Sequence, residues 1–256
     1  MPTPILELRS ISLSFAGVKA IEDASFSVAQ GEICGIIGPN GAGKSSLMNI
    51  ISGVYRPDGG ELYLRGERVH GWTPNLAAQR GIARTTQNLA LFRGLSVLDN
   101  LLLGRTLHTR TGFFAHALRF GPAAREERIE REHVLGILRF LEIERYRDRL
   151  VGQLPYGLQK RVELGRALAA EPSLLLLDEP MAGMTVQEKL ELCRFIVEIN
   201  ESRGTSVVMI EHDMGVVMDL SDHVVVLDYG RKIGDGAPAE VRGNPRVIDA
   251  YRGLAD

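Results

Sequence analysis

Residues 32–53 read EICGIIGPNGAGKSSLMNIISG, an apolar run, a glycine-rich turn and a second apolar run. The turn, residues 38–45, matches the pattern G-x-x-x-x-G-K-[ST]. Glycines allow the backbone to curl so that successive N–H groups face one phosphate. The segment therefore predicts a strand, a phosphate-binding loop and a helix, in that order.

This loop predicts a nucleotide-binding site in which Lys44 reaches the β- and γ-phosphates and Ser45 ligates Mg²⁺. The alternative is an ordinary glycine-rich turn, which the strand before it and the helix after it disfavour. The predicted nucleotide-binding residues of this segment are Gly38, Pro39, Asn40, Gly41, Ala42, Gly43, Lys44, Ser45 and Ser46.

A second segment supplies two carboxylates. An apolar run from Leu174 to Leu177 is followed directly by Asp178 and Glu179. Because unpaired buried charge costs free energy, a buried strand that ends in two carboxylates needs a partner, and nucleotide-bound Mg²⁺ is one. We expect Asp178 to hold the ion, directly or through water, and Glu179 to orient or deprotonate the attacking water.

The pattern of apolar and polar residues changes along the remaining chain. Residues 5–87 contain short runs that alternate apolar with polar side chains, as in half-exposed strands. Residues 96–169 are helical in pattern, with an amphipathic stripe that starts at Ile129 and ends at Leu141. Two continuous apolar runs, SLLLLDE and TSVVMIEH, flank a helical segment, which predicts a parallel sheet covered on both faces. From His223 onward we expect strand, turn, strand and two short helices.

Composition sets further limits. At 256 residues and 45% hydrophobic content, the chain is long enough for one large domain with a core. A net charge of −2 creates no field for bulk nucleic-acid binding. We expect no membrane span, because no run of about 18 apolar residues occurs, and no secretory signal. Cys34 and Cys193 are expected to be buried apolar residues in a reducing compartment rather than a disulfide.

Further elements occur in the order seen in ATP-binding cassette (ABC) proteins, and the chain resembles that family over nearly its whole length. The resemblance implies that Phe15 stacks on adenine, the alternative being a simple core residue. It implies that Gln87 senses Mg²⁺ and the γ-phosphate, and that His212 is the switch histidine. The expected catalytic residues are then Lys44, Gln87, Glu179 and His212, and the expected metal ligands are Ser45, Gln87 and Asp178.

The same resemblance implies an α/β fold. It consists of a P-loop NTPase core with an N-terminal antiparallel β subdomain and an inserted helical subdomain at about residues 88–165, within one domain that spans residues 1–256. The implied cofactors are ATP and Mg²⁺, and the implied activity is ATP hydrolysis by two cassettes that pair head to tail.

The segment that each cassette offers its partner departs from the family pattern LSGGQ. Here Pro155 stands where a serine hydroxyl would contact the γ-phosphate, and Pro155 has neither a side-chain donor nor an N–H. Tyr156 and Gly157 remain as expected nucleotide contacts, through backbone groups and the helix dipole. Thr185 stands where Asp or Asn is usual. These departures predict a heterodimer whose partner supplies an intact signature.

Within the family, the chain resembles the ATPase subunits of branched-chain amino acid importers most. Four stretches carry this likeness: RTTQNLALFRGLSVLDNLLLG, TGFFAHALRF, LPYGLQKRVELGRAL and NPRVIDAYRGLAD. The resemblance implies integral membrane permeases as partners, a solute-binding protein as an indirect partner, no nucleic acid beyond ATP, and a peripheral position on the cytoplasmic face of the inner membrane. Leu91, Phe92, Leu95 and Val97 are candidates for the surface that receives a permease helix, or else core residues.

Three other functions compete with this one. A soluble cassette protein acting on ribosomes or DNA would usually carry a second cassette or a long coiled coil, and neither is evident. A P-loop GTPase would carry an N-K-x-D segment, which the sequence lacks. The third alternative is a nucleotide-binding scaffold without catalytic activity, and only Pro155 supports it.

Overall fold

Ten strands form two sheets in the part of the chain that the computed structural model describes, residues 3–87, 89–106 and 122–252. In chain order they are β1 (Leu6–Phe15), β2 (Val18–Val28), β3 (Ile33–Ile37), β4 (Gly59–Leu64), β5 (Glu67–Arg68), β6 (Ile82–Arg84), β7 (Leu174–Asp178), β8 (Ser206–Ile210), β9 (His223–Asp228) and β10 (Arg231–Gly236).

Helices connect these strands and cover the larger sheet. They are α1 (Lys44–Ile51), α2 (Pro74–Gln79), α3 (Val97–Gly104), α4 (Pro122–Phe140), α5 (Tyr156–Ala169), α6 (Val186–Arg203), α7 (Met214–Leu220), α8 (Pro238–Arg242) and α9 (Pro245–Arg252). Among the described residues no helix is both long enough and apolar enough to cross a bilayer.

The larger sheet has the order β10-β9-β3-β8-β7-β6. Its strands β9, β3, β8, β7 and β6 run parallel, and β10 pairs antiparallel with β9. Every residue of β3, β7 and β8 is buried. This confirms the parallel sheet predicted from continuous apolar runs, because such strands are covered on both faces.

The smaller sheet, β2-β1-β4-β5, is antiparallel. Its buried side chains, among them Leu6 and Leu8, share one core with Leu47 of α1 and Ile36 of β3. A second core on the other face of the large sheet joins it to α3, α4, α5 and α6. The α/β core with an antiparallel β subdomain is therefore confirmed.

The helical region agrees with the sequence pattern in most respects. Val134 and Leu141 of the predicted stripe are fully buried, whereas Ile129 is exposed. Helix α5 continues to Ala169, so a subdomain boundary at residue 165 would divide it. At Gly165 an added Cβ would lie 2.9 Å from Leu141, so this helix packs closely on its neighbours. The stretch TGFFAHALRF, residues 111–120, lies outside the described residues.

The two cysteines are free thiols, which confirms that they form no disulfide. Cys34 is fully buried in β3 and Cys193 is half-buried, with its Sγ 3.8 Å from the Sδ of Met181. Burial raises the pKa of both thiols above the usual value.

A cluster of charged side chains lies at the amino-terminal ends of the parallel strands, opposite the ends that carry Asp178. His223 Nε2 lies 2.5 Å from Asp235 Oδ1, and its Nδ1 lies 3.3 Å from Glu32 Oε1. Asp235 also pairs with Lys232. Hydrogen bonds to Asp235, Cys34 and Glu32, in that order of importance, raise the pKa of His223 from 6.5 to about 12.

This cluster predicts a pH-dependent stability difference between the wild type and His223→Gln. The folded chain keeps the imidazolium proton where the unfolded chain loses it, so the wild-type advantage is full below about pH 6.5 and falls as the pH rises towards 12. Urea unfolding of both proteins from pH 6 to 9 measures this, and a difference that stays constant with pH would contradict it.

Candidate nucleotide-binding site

The carboxyl ends of four neighbouring parallel strands meet at one edge of the large sheet. The phosphate loop follows β3, Gln87 follows β6, Glu179 follows β7 and His212 follows β8. Open α/β sheets bind ligands at this edge. Together the segments line a cavity of about 250 Å³, whose residues are Ala20, Asn40, Gly41, Ala42, Gly43, Lys44, Ser45, Ser46, Gln87, Glu179 and His212.

Gly43 fixes where the phosphate loop lies. Its φ is +101°, and an added Cβ would lie 2.4 Å from the carbonyl oxygen of Ala20 in β2. Only glycine combines this backbone conformation with so close an approach. The antiparallel sheet thus forms one wall of the cavity. Helix α1 starts at Lys44, and no side chain among the described residues caps its first N–H groups, which can therefore face an anion.

The Lys44 ammonium is held inside the loop. Its Nζ donates to the carbonyl oxygens of Gly38 at 2.7 Å and of Pro39 at 2.9 Å. Burial lowers the pKa of Lys44, and the carboxylates of Glu179 and Asp178 oppose that effect. The two carboxylates favour the protonated amine, and its present hydrogen-bond partners are uncharged carbonyls. A charged phosphate oxygen would be a stronger acceptor for this ammonium.

Asp178 is buried at the end of β7 beside Arg84 of β6, and Arg84 Nη2 donates to Asp178 Oδ2 at 2.8 Å. The same guanidinium donates through Nη1 to Asn49 Oδ1 at 2.6 Å and to Ser52 Oγ at 2.8 Å. Arg84 therefore connects the acidic end of β7 with helix α1. Oδ1 of Asp178 makes no hydrogen bond to the described residues.

Glu179 is held at both carboxylate oxygens. Gln87 Nε2 donates to its Oε2 at 2.9 Å, and His212 Nε2 lies 2.7 Å from its Oε1. Its backbone φ is +48°, a left-handed conformation unusual for a non-glycine residue, and its N–H donates to the carbonyl of Ile210 at 2.9 Å. The carboxylate thus points into the cavity in a fixed orientation.

A second carboxylate supports this arrangement from behind. Glu211 is buried, and its Oε1 accepts the Met181 N–H at 2.8 Å. Burial raises the pKa of Glu211, against the opposing hydrogen bonds from Met181 and His212. Glu211 therefore ties the segment after Glu179 to the segment that carries His212.

Phe15 does not line this cavity. It ends β1, remains 44% exposed and packs edge-on against Tyr55 with ring centroids 5.2 Å apart. This exposure rules out the alternative of a simple core residue, and stacking of Phe15 on adenine stays a prediction.

The departing signature segment lies away from the cavity, at the start of helix α5. Pro155 is the N-cap residue and supplies no side-chain hydrogen bond. An added Cβ on Gly157 would lie 2.1 Å from the Glu188 carboxylate, so a larger residue there would require the Glu188 side chain to move. Tyr156 is exposed and lies beside Gly183. Both predicted nucleotide contacts on this helix, Tyr156 and Gly157, are thus separate from the phosphate loop of their own chain.

Thr185 has a local role that accounts for its presence. Its side chain accepts the Glu188 N–H, and the Glu188 carboxylate accepts the Thr185 N–H at 2.9 Å. This capping box starts helix α6. The pattern T-x-x-E at residues 185–188 carried that signal in the sequence, although the prediction treated Thr185 only as a departure.

Two site residues, Arg84 and Glu211, were missed by the sequence prediction. Arg84 carried a usable signal, since a cation in a short strand between buried segments requires a counter-charge. Glu211 carried no such signal, because its role depends on the backbone N–H of Met181, which follows a different strand.

Comparison with known proteins gives consistent matches. Residues 21–182 match the family model described as ABC transporter, and residues 231–251 match the model described as branched-chain amino acid ATP-binding cassette transporter. The chain is 36% identical to the high-affinity branched-chain amino acid transport ATP-binding protein BraF of Pseudomonas aeruginosa, over 100% of both chains. It is 34% identical to LivG of Escherichia coli, which bears the same description, again over 100% of both.

Solved structures agree with these matches. A nucleotide-free ATP-binding cassette from an ABC transporter superposes with a TM-score of 0.84 at 30% identity, covering 97% of this chain and 98% of the other. A cassette in its ADP conformation gives 0.83 at 32% identity, covering 98% and 99%. The chain therefore belongs to the family of ABC transporter ATP-binding proteins.

Proposed function

We propose that this chain is the ATP-hydrolysing subunit of a membrane importer for branched-chain amino acids or related small polar or organic solutes. As a member of its family the chain is an ATPase that binds ATP. The observation that carries the catalytic assignment is the Glu179 carboxylate, held between Gln87 and His212 at the edge of the phosphate loop. The full-length likeness to BraF and LivG supports the importer.

In this proposal residues 38–46 bind the triphosphate. Lys44 exchanges its carbonyl partners for β- and γ-phosphate oxygens, which are stronger acceptors because they are charged. The free N–H groups at the start of α1 face the same phosphates. Phe15 lies at the end of the strand that pairs with β2, and its exposed ring stacks on the adenine.

The residues present fit a magnesium ion. Ser45 is exposed at the cavity, Asp178 keeps one oxygen without a hydrogen-bond partner among the described residues, and Gln87 supplies an amide oxygen. Oxygen donors of this kind suit Mg²⁺. When bound, Mg²⁺ neutralises charge on the β- and γ-phosphate oxygens.

Glu179 is the general base in this mechanism. It takes a proton from the water that attacks the γ-phosphorus while the bond to the β–γ bridging oxygen breaks, and ADP and phosphate leave. Gln87 and His212 fix the carboxylate so that one oxygen faces that water. His212, which also lines the cavity, is proposed to sense whether the γ-phosphate is present.

ATP hydrolysis in this proposal occurs between two cassettes paired head to tail. The phosphate-loop half of the site is complete in this chain, whereas the half that it offers its partner has Pro155 in place of a hydroxyl donor. Tyr156, Gly157 and the uncapped start of α5 would face the partner's γ-phosphate through backbone N–H groups. We therefore propose a heterodimer with two unequal sites.

The permease is proposed to dock in an apolar groove between the core and the helical region. The groove has a volume of about 670 Å³, and Phe92, 57% exposed, stands at its rim. Of the candidates from the sequence, Val97 is fully buried and Leu91 packs on the core, so the surface role fails for Val97. Other groove residues are Val54, Pro74, Ala77, Ile82 and Leu103.

The proposed importer function also implies where the chain lies and which protein selects the cargo. The chain would lie on the cytoplasmic face of the inner membrane, held there by permeases, and a solute-binding protein would select the cargo. The relatives' descriptions as transport proteins favour this function over a soluble cassette that acts elsewhere.

Glu179→Gln should bind ATP with wild-type affinity but hydrolyse it at least about 10²-fold more slowly, because the amide cannot accept the proton. Isothermal titration with ATP and a phosphate-release assay measure the two quantities. Glu198→Gln, an exposed change on helix α6, is the matched control and should keep wild-type turnover. Near wild-type hydrolysis by Glu179→Gln would show that another group is the base.

In the assembled pair, Lys44→Ala should lower turnover roughly tenfold or more, because it removes the site that an intact partner signature completes. The equivalent change in the partner's phosphate-loop lysine should cost much less, since that site relies on Pro155. Equal losses from the two substitutions would rule out unequal sites.

Phe92→Asp should abolish co-purification of permeases with the tagged chain from native membranes in mild detergent, because a charge at the groove rim would have to be desolvated. ATP binding should be unchanged. Leu190→Asp, at an exposed position on α6, is the control and should still recover permeases. Recovery of ribosomes or DNA-repair proteins by the wild type would remove the importer proposal and leave the ATPase.

A further inference from the structure

Helix α9 faces the phosphate loop across a second cavity, of about 530 Å³. One wall of this cavity consists of Arg246, Asp249 and Ala250 of the helix, and another consists of loop residues 39–42. Loop residues 40–42 also line the nucleotide cavity, so the loop borders both spaces. The hydrolysis reaction proposed above uses no residue of α9.

One face of α9 packs on the large sheet. Val247 is buried, and an added Cβ on Gly234 of β10 would lie 2.9 Å from its side chain. Tyr251 follows four residues later on the same face of the helix and is half-buried against the core that contains Val247. The Tyr251 ring is therefore held in place by the packing of α9 on the sheet.

The Tyr251 phenol reaches the first residue of the phosphate loop. Burial raises the pKa of this phenol to about 12, while a hydrogen bond from the Gly38 backbone N–H opposes that rise. The carboxylate of Asp228, at the end of β9, adds to the raised pKa. The phenol is therefore neutral at physiological pH and accepts the Gly38 N–H. Such a partner is expected, because an unpaired hydroxyl away from water costs free energy.

Gly38 also contacts the nucleotide-binding lysine. Its carbonyl oxygen accepts Lys44 Nζ at 2.7 Å, whereas its N–H faces Tyr251. Its φ is +151°, and an added Cβ would lie 2.1 Å from the carbonyl oxygen of Leu227 in β9. The backbone of Gly38 thus joins the phosphate loop to β9, to α9 and to Lys44.

The conformation of the loop explains why contacts from outside matter. Gly41 and Gly43 have φ values of +79° and +101°, so together with Gly38 three glycines adopt conformations that other residues rarely do. Because glycine has access to more backbone conformations than other residues, ordering these three carries a high entropy cost. A contact that orders the loop before the ligand arrives removes part of that cost from binding.

We propose that Tyr251 is a positioning residue for the phosphate loop, which orders Gly38 from outside the nucleotide cavity and so raises the affinity for nucleoside di- and triphosphates. The proposal concerns the nucleotide site alone and does not depend on the importer function. Tyr251 does not line the nucleotide cavity and lies on a different element from Glu179, Gln87 and His212. It should therefore affect nucleotide binding and leave the chemical step unchanged.

The test compares the wild type with Tyr251→Phe, which keeps the ring and its packing but removes the hydroxyl. Tyr63→Phe is the matched control, because it also removes a tyrosine hydroxyl hydrogen bond, to Glu61 at 2.6 Å, but in the antiparallel sheet. Calorimetry gives the affinities for Mg-ATP and Mg-ADP, and a phosphate-release assay gives KM and kcat. Amide NMR gives the rate at which the Gly38 N–H exchanges with solvent in the ligand-free chain.

In Tyr251→Phe the dissociation constants for ATP and ADP should rise by the same factor, about three- to tenfold, as expected for the loss of one neutral hydrogen bond. KM should rise in parallel while kcat stays within about twofold of wild type, because binding rather than chemistry is affected. The Gly38 N–H should exchange faster than in the wild type. Tyr63→Phe should match the wild type in every one of these quantities.

Wild-type affinities in Tyr251→Phe would overturn the proposal. A lower kcat with an unchanged KM would also overturn it, since that result places the effect on the chemical step. An equal loss of affinity in Tyr63→Phe would do the same, because it would show a general effect of losing a tyrosine hydroxyl. Failure of the wild type itself to bind ATP would instead overturn the assignment of the nucleotide site.

Discussion

Two hydrogen bonds to the Glu179 carboxylate join three strand ends, because Gln87, Glu179 and His212 follow β6, β7 and β8. They meet because the three strands run parallel, so that their carboxyl ends lie at the same edge of the sheet. The fully buried β7 and β8 secure this arrangement. Pairing of these strands therefore also brings the residues of the candidate site together.

The polar groups that support this edge are paired over long sequence distances. Arg84 connects Asp178 with helix α1, and Glu211 holds the segment after Glu179. Behind them, Glu163 reaches Thr86 from helix α5. Each contact leaves a buried charge satisfied only while its two elements stay in place. The phosphate-loop side of the candidate site is therefore held by contacts from several elements, whereas helix α5 begins at Pro155, which supplies no side-chain cap.

Local patterns predicted much of this structure. The apolar runs of β3, β7 and β8, the glycine-rich loop and the two carboxylates after β7 each show their role within a few neighbouring residues. The pattern failed where tertiary contacts decide. Phe92 and Val97 stand in the same apolar stretch, yet one is exposed and the other fully buried, because only the packing of α3 distinguishes them. The roles of Arg84 and Glu163 likewise depend on partners from distant segments, which no local spacing encodes.

The aromatic pair of Phe15 and Tyr55 has a consequence for nucleotide selectivity. Every nucleobase has a π-face, so stacking on an exposed ring holds purines and pyrimidines alike and discriminates weakly among them. The phosphate loop, by contrast, contacts the part of the ligand that all nucleoside triphosphates share. Under the proposed function, in which Phe15 contacts the base, such a site requires the triphosphate and tolerates different bases, so the cellular abundance of ATP would decide which nucleotide is used.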